Sequence, residues 1–298
     1  MQNTIALDAG QPLDLSNPID RKKLILKLNE ELDKASIAEL KEPPRNHLGA
    51  SIIGDDCAAK AWSVFRWLKE EQHPGRQMRL FNRGHMEEPR LIRWLTAMGF
   101  EVREHDPATG KQFRILGCKG HFGGSLDGLA KAPAHYNLSS DLILLTEYKT
   151  HSDKSFTKLK KEGMVRSKPM HFKQMCAYGR AYNVLYGLYV AVNKNDDEIY
   201  FEIVVLDYRE ADNLFHKAET IVFSQTRPGK IANTPSFFNC QYCHFSGICH
   251  SGEAPEINCR SCFNAVPVDN GEWLCKVRDL NIPKEVIPVG CPSYSRIV

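Results

Sequence analysis

The stretch LILLTEYKT, residues 142–150, ends an apolar run with two charged residues. An apolar run of this length is typical of a buried strand, where an unpaired charge is costly. Side chains two residues apart on a strand share a face, so Glu147 and Lys149 are expected side by side and Tyr148 on the opposite face. Either the strand end emerges into solvent with a surface ion pair, or the two charges belong to a functional site.

The composition is that of an ordinary soluble protein: 298 residues, 42% hydrophobic and 25% charged. A net charge of +3 does not by itself indicate a nucleic-acid binder. The longest apolar run, residues 184–192, is shorter than the ~18–20 residues that cross a bilayer, and the N-terminal residues lack a signal-peptide pattern. These features predict a cytoplasmic protein without a membrane partner, in which ten cysteines favour metal ligands over disulfides.

Local periodicity predicts an α/β fold in which helices flank a central mixed β-sheet. Helices are expected at about 18–40, from 54–56 onward, and at about 84–98, 170–183 and 208–224. Strands and hairpins are expected over 99–149, and a further hairpin over 187–207 with its turn at 193–197. The predicted domains are a helical lead-in (1–47), a core (48–235) and a cysteine-rich C-terminal region (236–298).

Other polar residues are candidates to act with the strand. GGSLDGLA (123–130) places Asp127 in a glycine-rich turn, and RGHMEEPRLIRWL (83–95) places Glu87 and Glu88 at the start of a helix. HFKQMCAYGRAY (171–182) places Gln174 and Tyr178 one helical turn apart. Each alone has an ordinary explanation: a hairpin turn, acids that complement a helix dipole, and a polar helix face.

Taken in order, these motifs resemble the PD-(D/E)XK nuclease superfamily, in particular its RecB-like and lambda-exonuclease-like (YqaJ-type) branches. Its Gly-x-x-x-Glu helix is matched by Gly84 to Glu88, and the spacing favours Glu88 over the neighbouring Glu87. Its remaining motifs are matched by Asp127-Gly128, by Glu147-x-Lys149 and by Gln174-x-x-x-Tyr178. The resemblance covers about residues 48–250 and implies a restriction-endonuclease-like core.

The resemblance also implies a reaction, the hydrolysis of phosphodiester bonds. Asp127 and Glu147 are hard oxygen ligands suited to Mg²⁺ or Mn²⁺, and the family adds the carbonyl of the residue between Glu and Lys, here Tyr148. Glu88 is a candidate to hold a second ion or a metal-bound water. Lys149 is expected to orient or deprotonate the attacking water, or to stabilise charge on the phosphate. The resemblance gives Gln174 an orienting role and Tyr178 a bracing role.

A basic stretch, residues 150–173, lies between the charged strand and the Gln174 helix. Lysines and arginines bind phosphates, and aromatic side chains such as Phe156, His171 and Phe172 can stack on bases. We interpret the stretch as a path for nucleic acid, with a solvated basic loop as the alternative. The candidate DNA-binding residues are Lys154, Lys158, Lys160, Lys161, Arg166, Lys168 and Lys173.

One set of cysteines combines FFNCQYCHFSGICH (237–250) with the distant Cys57. Cys240, Cys243 and Cys249 form a C-x2-C-x5-C pattern. Its C-x2-C pair is a common metal-binding motif, because both thiolates can reach one ion. One upstream cysteine followed by this pattern resembles the iron–sulfur nucleases, as in AddB and the CRISPR-associated RecB-like enzymes. The resemblance implies a [4Fe–4S] cluster held by four thiolates. Zinc is the runner-up, with His244 and His250 as further candidate ligands.

A second set follows in the tail, at Cys259, Cys262, Cys275 and Cys291. Two pairs of cysteines in separate halves are typical of a zinc ribbon with a tetrahedral structural Zn²⁺. Its default role is to stabilise a tail that lacks a core of its own. Cys118 and Cys176 are expected to be ordinary buried thiols.

The sequence therefore predicts an Mg²⁺- or Mn²⁺-dependent DNA nuclease, most readily an exonuclease on linear DNA with a free end, acting in recombination, repair or replication. One alternative is an endonuclease or junction-cleaving enzyme of the same fold. Another is a non-catalytic, zinc-stabilised nucleic-acid-binding module in which Glu147 and Lys149 are a surface pair. A third is a protein whose cysteine-rich tail mainly docks a helicase or a single-strand-annealing recombinase.

Overall fold

The computed structural model describes residues 12–298. It contains two compact units: the chain up to Pro43 together with Gln72–Met86, and Pro44–Glu71 together with Glu87–Val298. Residues 1–11 of the predicted lead-in lie outside the described residues. Within residues 12–298, no helix combines the length and the apolar character needed to cross a lipid bilayer.

The helices of the described chain alternate with short strands. In chain order they are α1 Pro18–Leu40, α2 Ala50–Ile53, α3 Ala58–Phe65, α4 Gly75–Ala97, α5 Asp153–Ser167, α6 Pro169–Tyr182, α7 Tyr208–Phe223, α8 Phe238–Gln241 and α9 Ser246–His250. The strands are β1 Leu48–Gly49, β2 Glu101–Arg103, β3 Arg114–Gly117, β4 Phe122–Ser125, β5 Gly128–Lys131, β6 Leu144–His151, β7 Tyr186–Asn193, β8 Ile199–Val205, β9 Ala265–Pro267, β10 Trp273–Cys275 and β11 Leu280–Asn281.

Most of these strands belong to two mixed sheets. The larger has the order β2-β5-β6-β7-β8, in which only β6 and β7 are parallel. The smaller has the order β1-β4-β3, with β1 parallel to β4. A separate antiparallel sheet, β11-β10-β9, forms the tail. The structure confirms the predicted mixed α/β architecture with helices flanking mixed sheets.

The first unit is organised around α1. The side chain of Asn17 caps this helix by accepting a hydrogen bond from the Ile19 amide at 2.9 Å, and Pro18 occupies the first turn. Arg79 donates to Asp33 at 2.8 Å and to the Ser36 hydroxyl at 2.9 Å, which ties the start of α4 to α1.

In the second unit, helices cover both faces of the larger sheet. Leu91 and Leu95 of α4 pack against Tyr148 and Val190 on one face. On the other face, Leu145, Tyr189 and Ala191 join a large core that includes α5, α6 and α7. Strand β6 is therefore enclosed on both sides, which explains why its sequence begins as a continuous apolar run.

The basic stretch after β6 is a helix, α5, rather than an irregular loop. Phe156, Leu159 and Met164 are buried, and they recur at a spacing that lines one face of a helix. Because lysines are frequent at the exposed positions, the three buried apolar residues are difficult to recognise as a helical pattern in the sequence. At Gly163 the backbone leaves the helical region, with a φ of 75°. The helix predicted at 84–98 also begins earlier, at Gly75, directly after Pro74.

The tail packs against the core through aromatic and backbone contacts. His121 is buried, lies edge-on to Phe65 and Trp273, and hydrogen-bonds the Val268 carbonyl at 2.8 Å. This places His121 in the packing of the tail, and it forms no part of the acidic site.

Candidate active site

Glu147 lies in the middle of β6, beside the parallel partner strand β7. Its side chain is 0% exposed, and its carboxylate oxygens accept no hydrogen bond from residues 12–298 beyond an ion contact with Lys149. Burial raises the pKa of Glu147, and Lys149 opposes this shift. A buried carboxylate with so few donors is costly unless a cation compensates it, so the surface-pair interpretation does not apply.

Lys149 supplies part of that positive charge. Its ammonium lies 2.5 Å from Glu147 Oε1, 3.7 Å from Asp127 Oδ2 and 3.1 Å from the carbonyl oxygen of Tyr148. Burial opposes the charge, but Glu147 and Asp127 outweigh it and raise the pKa of Lys149. Lys149 therefore remains protonated at neutral pH, and three oxygen atoms from different residues converge on one cation.

Asp127 reaches this point because it ends a tight turn into β5. Its Oδ2 accepts a hydrogen bond from the Tyr148 amide at 2.9 Å, which fixes the carboxylate across from β6. The following Gly128 leaves room for this approach, since a Cβ there would lie 3.0 Å from Thr146 Oγ1 and 3.1 Å from the Arg103 carbonyl oxygen. The Asp-Gly pair thus serves the site as well as the turn.

Glu88 approaches the same group from α4. Burial and the negative charge of Asp127 raise the pKa of Glu88 to about 7, while Lys149 opposes the shift. The neighbouring Glu87 instead contacts Arg90 at 2.6 Å, three residues along the helix. The electrostatic environment therefore separates the two glutamates of the doublet and associates Glu88 with the acidic site.

Gln174 and Tyr178 lie on one face of α6. The Gln174 amide donates to the Tyr178 hydroxyl at 3.4 Å, and Tyr178 is buried. That hydroxyl lies against Gly124 of β4, where an added Cβ would clash with it. Burial and then the charge of Glu147 raise the pKa of Tyr178, which places this ring near the acidic residues. This position fits the bracing role expected from the sequence.

Several of the basic candidates already pair with groups of the protein. Lys160 pairs with Glu198, Lys168 donates to Ser155, and Lys173 donates to the Gly54 carbonyl and to Asp56. The exposed basic residues of α5 are Lys154, Lys158, Lys160, Lys161 and Arg166. Phe156 is 1% exposed, so it packs in the core and does not stack on bases.

Sequence reasoning missed a buried polar cluster next to Lys149. His151 follows Lys149 by two residues and so shares its strand face, and its Nε2 lies 2.9 Å from the Tyr189 hydroxyl. His171 Nδ1 lies 2.9 Å from the same hydroxyl. The spacing Glu-x-Lys-x-His was visible in the sequence, but Tyr189 and His171 are far from it along the chain.

The first cysteine set is brought together from distant parts of the chain. Cys57 precedes α3, and its thiol acts electrostatically on Cys243 and Cys249, while Cys240 acts on Cys243. Burial raises the pKa of Cys243 and of Cys249. Arg227 contacts Cys249 Sγ at 3.8 Å. His244 Nε2 is buried without a hydrogen-bond partner in residues 12–298, so it stays a candidate zinc ligand.

The second cysteine set lines one small cavity of the tail. Cys259, Cys262, Cys275 and Cys291 all face it. Burial raises the pKa of Cys259, and the negative charges of the other three thiolates raise it further. In residues 12–298, no three His, Cys, Asp or Glu side chains are close enough to form a complete metal site as they stand. The cysteines of each set therefore lie in the same region, but within residues 12–298 neither set forms a complete coordination sphere.

Two arginines are buried beside the tail. Arg66 is 0% exposed and Arg260 is 1% exposed. The central carbons of their guanidinium groups lie 5.1 and 5.0 Å from the centroid of the Trp273 ring, within the range of a cation–π contact. Several of their nitrogen atoms lack an acceptor in residues 12–298. Burial lowers the pKa of Arg66 to about 10, and the thiolate of Cys262 opposes this shift.

Fold and site together define a mixed α/β protein that carries three carboxylates and a lysine at a buried strand of its main sheet. No family model matches the chain, and no curated protein matches it. Among solved structures, an alkaline exonuclease (LHK-Exo) from Laribacter hongkongensis is similar at 18% identity, covering 64% of this chain and 90% of that chain, with a TM-score of 0.40.

Two further solved structures are similar to the chain. The same exonuclease in complex with dAMP matches at 17% identity, 64% of this chain, 90% of that chain and a TM-score of 0.39. The protein SSO0001 matches at 18% identity, 76% of this chain, 98% of that chain and a TM-score of 0.43. These likenesses are distant, so the functional argument rests on the site itself.

Proposed function

We propose that this protein is a metal-dependent DNA nuclease, acting on linear DNA from a free end. One observation carries the proposal: the oxygens of Asp127, Glu147 and Tyr148 converge on a single cation, the ammonium of Lys149. This is the set of residues that the PD-(D/E)XK resemblance assigns to phosphodiester hydrolysis. The exonuclease preference comes from the same resemblance.

The residues fit a divalent cation. The Glu147 carboxylate is buried and lacks hydrogen-bond donors in the described chain, and Asp127 and the Tyr148 carbonyl present further hard oxygens toward the same point. Mg²⁺ or Mn²⁺ held by Asp127, Glu147 and Tyr148 would polarise a scissile phosphate and lower the pKa of water.

The side chains of the site then have distinct tasks. Lys149, protonated because Glu147 and Asp127 raise its pKa, stabilises the negative charge that develops on the phosphate. Its protonation argues against deprotonation of the water by Lys149 in this arrangement. Glu88, with a pKa raised to about 7, is deprotonated above neutral pH and is then suited to hold a second ion. Gln174 is positioned by Tyr178 to orient Lys149 or a phosphate oxygen.

Helix α5 is proposed as the DNA path. It follows β6 after one residue, Ser152, so its exposed basic side chains begin close to the catalytic strand. Such side chains bind phosphates without reading sequence. Lys154, Lys161 and Arg166 carry this proposal best, because the other candidates already have protein partners: Lys158, Lys160, Lys168 and Lys173.

End dependence is tested with end-labelled linear DNA and closed circular DNA, each incubated with the purified chain and Mg²⁺ or Mn²⁺. We expect the linear DNA to be degraded and the circle to persist. Cutting of both substrates would indicate an endonuclease of the same chemistry. Binding without cleavage of either would contradict the nuclease proposal and leave the binding-module alternative.

The pH dependence distinguishes Glu88 from Glu87. At limiting Mg²⁺, we expect the rate of hydrolysis to rise as the pH rises through about 7, because the cation site gains a carboxylate when Glu88 loses its proton. Excess Mg²⁺ competes with the proton and should move this rise to lower pH. The Glu88→Gln variant should lose about 10–100-fold in rate, and its rise should become shallower but persist, because burial also raises the pKa of the second carboxylate, Glu147.

The matched control is Glu87→Gln, which removes the same charge one residue away. Because Glu87 is paired with Arg90, this variant should keep the wild-type pH profile. Equal losses in both variants would contradict the assignment of Glu88.

We propose that the cysteines hold two metal centres, a [4Fe–4S] cluster at Cys57, Cys240, Cys243 and Cys249, and a structural Zn²⁺ at Cys259, Cys262, Cys275 and Cys291. The two buried arginines support the zinc site. Neither Arg66 nor Arg260 has a carboxylate among the charges that act on its pKa, and the negative charge that acts on Arg66 belongs to Cys262. Zinc held by four thiolates has a net charge of about −2, which would balance both guanidinium groups in this low-dielectric region.

Metal content tests both centres. We expect the protein purified without oxygen to show broad visible absorbance, lost in Cys57→Ser, and to contain one zinc ion per chain, lost in Cys275→Ser. Cys118→Ser is the control, since Cys118 lies outside both sets and should change neither. A colourless wild-type protein with two zinc ions per chain would contradict the cluster.

A further inference from the structure

A chain of hydrogen bonds beside the site takes no part in the mechanism above. It runs from Lys168 Nζ to Ser155 Oγ at 2.6 Å, and from Ser155 Oγ to His151 Nδ1 at 3.3 Å. It continues from His151 Nε2 to the Tyr189 hydroxyl at 2.9 Å, and from that hydroxyl to His171 Nδ1 at 2.9 Å. The two imidazoles stack with ring centroids 6.0 Å apart.

The chain lies on the catalytic face of the sheet. His151 follows Lys149 by two residues on β6, and Tyr189 is the register partner of Glu147 on β7. His171 precedes Gln174 by three residues on α6, which places both on one side of that helix. The charge of Lys149 acts on both imidazoles.

The donors and acceptors fix a direction along this chain. The Lys168 ammonium can only donate, so Ser155 Oγ accepts from it. Within the described chain, the Ser155 hydroxyl hydrogen then has one acceptor, His151 Nδ1. When Ser155 donates to His151 Nδ1, His151 carries its proton on Nε2 and donates to the Tyr189 oxygen, and the Tyr189 hydroxyl then donates to His171 Nδ1. His171 is thereby held as the Nε2–H tautomer.

Both imidazoles are neutral at physiological pH. Burial and then the charges of Lys168, Lys149 and Lys194 together lower the pKa of His151 to about 4. Burial and then the charges of Lys149, His151 and Lys168 together lower the pKa of His171 to about 3. His171 is partly exposed, and its Nε2 makes no hydrogen bond to residues 12–298. The chain thus ends in a neutral, oriented N–H donor near Lys149.

We propose that His171 is a substrate-binding residue whose Nε2–H donates a hydrogen bond to a backbone phosphate oxygen of the DNA strand in the site. This inference rests on the proposed nuclease function. Phosphate oxygens are acceptors that neutral donors bind without sequence preference. A neutral donor also adds no positive charge that would repel Lys149 and a divalent cation. Tyr189, His151 and Ser155 act as positioning residues, because each acts through the next.

The tautomer provides a test that does not depend on cleavage. In full-length protein labelled with ¹⁵N-histidine, NMR is expected to show His171 as the Nε2–H tautomer, neutral from about pH 5.5 to 8. Tyr189→Phe removes the donor to Nδ1 and should release this preference. An Nδ1–H tautomer in the wild type, or an imidazolium at neutral pH, would overturn the proposal.

Two isosteric variants test the contact with DNA. The amide nitrogen of Gln can occupy the position of Nε2, and that of Asn the position of Nδ1. With chelator present, His171→Asn should bind linear DNA about tenfold or more weakly, whereas His171→Gln stays close to the wild type. Thermal melting of both variants verifies that they fold.

The outcomes separate the two proposals. Equal DNA affinity of His171→Asn and the wild type would overturn the role of His171, whatever the protein does to DNA afterwards. Absence of metal-dependent cleavage, with the tautomer and the affinity difference intact, would overturn the nuclease function alone.

Discussion

Replacing Lys149 with alanine is expected to lower the rate of DNA hydrolysis by about 10²–10³-fold, the usual cost of removing a group that stabilises developing charge. The ammonium lies among the oxygens of Glu147, Asp127 and Tyr148, so its loss also removes the positive charge on which they converge. Those oxygens remain, and we expect them to bind Mn²⁺ at least as tightly as in the wild type. Single-turnover hydrolysis and calorimetric Mn²⁺ titration measure the two effects.

Lys111→Ala is the control for Lys149→Ala, since it removes the same charge from an exposed position. This variant should keep the wild-type rate. A Lys149→Ala protein that hydrolyses DNA at the wild-type rate would show that the strand is structural, and loss of Mn²⁺ binding would show that Lys149 only supports the fold.

Glu147→Gln is expected to weaken cation binding and to lower the rate by about 10²-fold or more. The amide keeps the shape of the buried side chain but removes the negative charge that balances the Lys149 ammonium and binds the cation. Because Glu147 is 0% exposed, no solvent can replace the lost ligand from its own position. The measurements are the Mg²⁺ concentration that gives half the maximal rate and the maximal rate itself.

The matched control is Glu101→Gln, which changes an exposed glutamate of the same sheet paired with Arg103. It should leave both quantities unchanged. If Glu147→Gln raised neither the Mg²⁺ requirement nor the barrier to hydrolysis, Glu147 could not be a metal ligand.

Strand β6 and its charged pair could be predicted from the sequence because two local signals coincide there. An apolar run marked β6 as buried, and the period of two placed Glu147 and Lys149 on one face. Asp127 was harder to find, since its approach depends on space at Gly128 that only the packing of β5 against β6 reveals.

Other parts of the structure had no local signal. Helix α5 was missed because three buried residues, Phe156, Leu159 and Met164, are outnumbered by solvated lysines. The chain from Lys168 to His171 joins residues from α5, β6, β7 and α6, and no spacing in the sequence brings them together. The same applies to Arg66 and Arg260, whose burial depends on how the tail packs.

The central claim is that the carboxylates and Lys149 hydrolyse DNA with a divalent cation. Its most direct test follows nucleotide release from end-labelled linear DNA by the purified wild-type protein, with Mg²⁺, after chelation and after Mg²⁺ is restored. We expect release that stops with chelator, resumes with Mg²⁺ and is absent in Lys149→Ala. Release that continues in chelator, or that survives in Lys149→Ala, would contradict it.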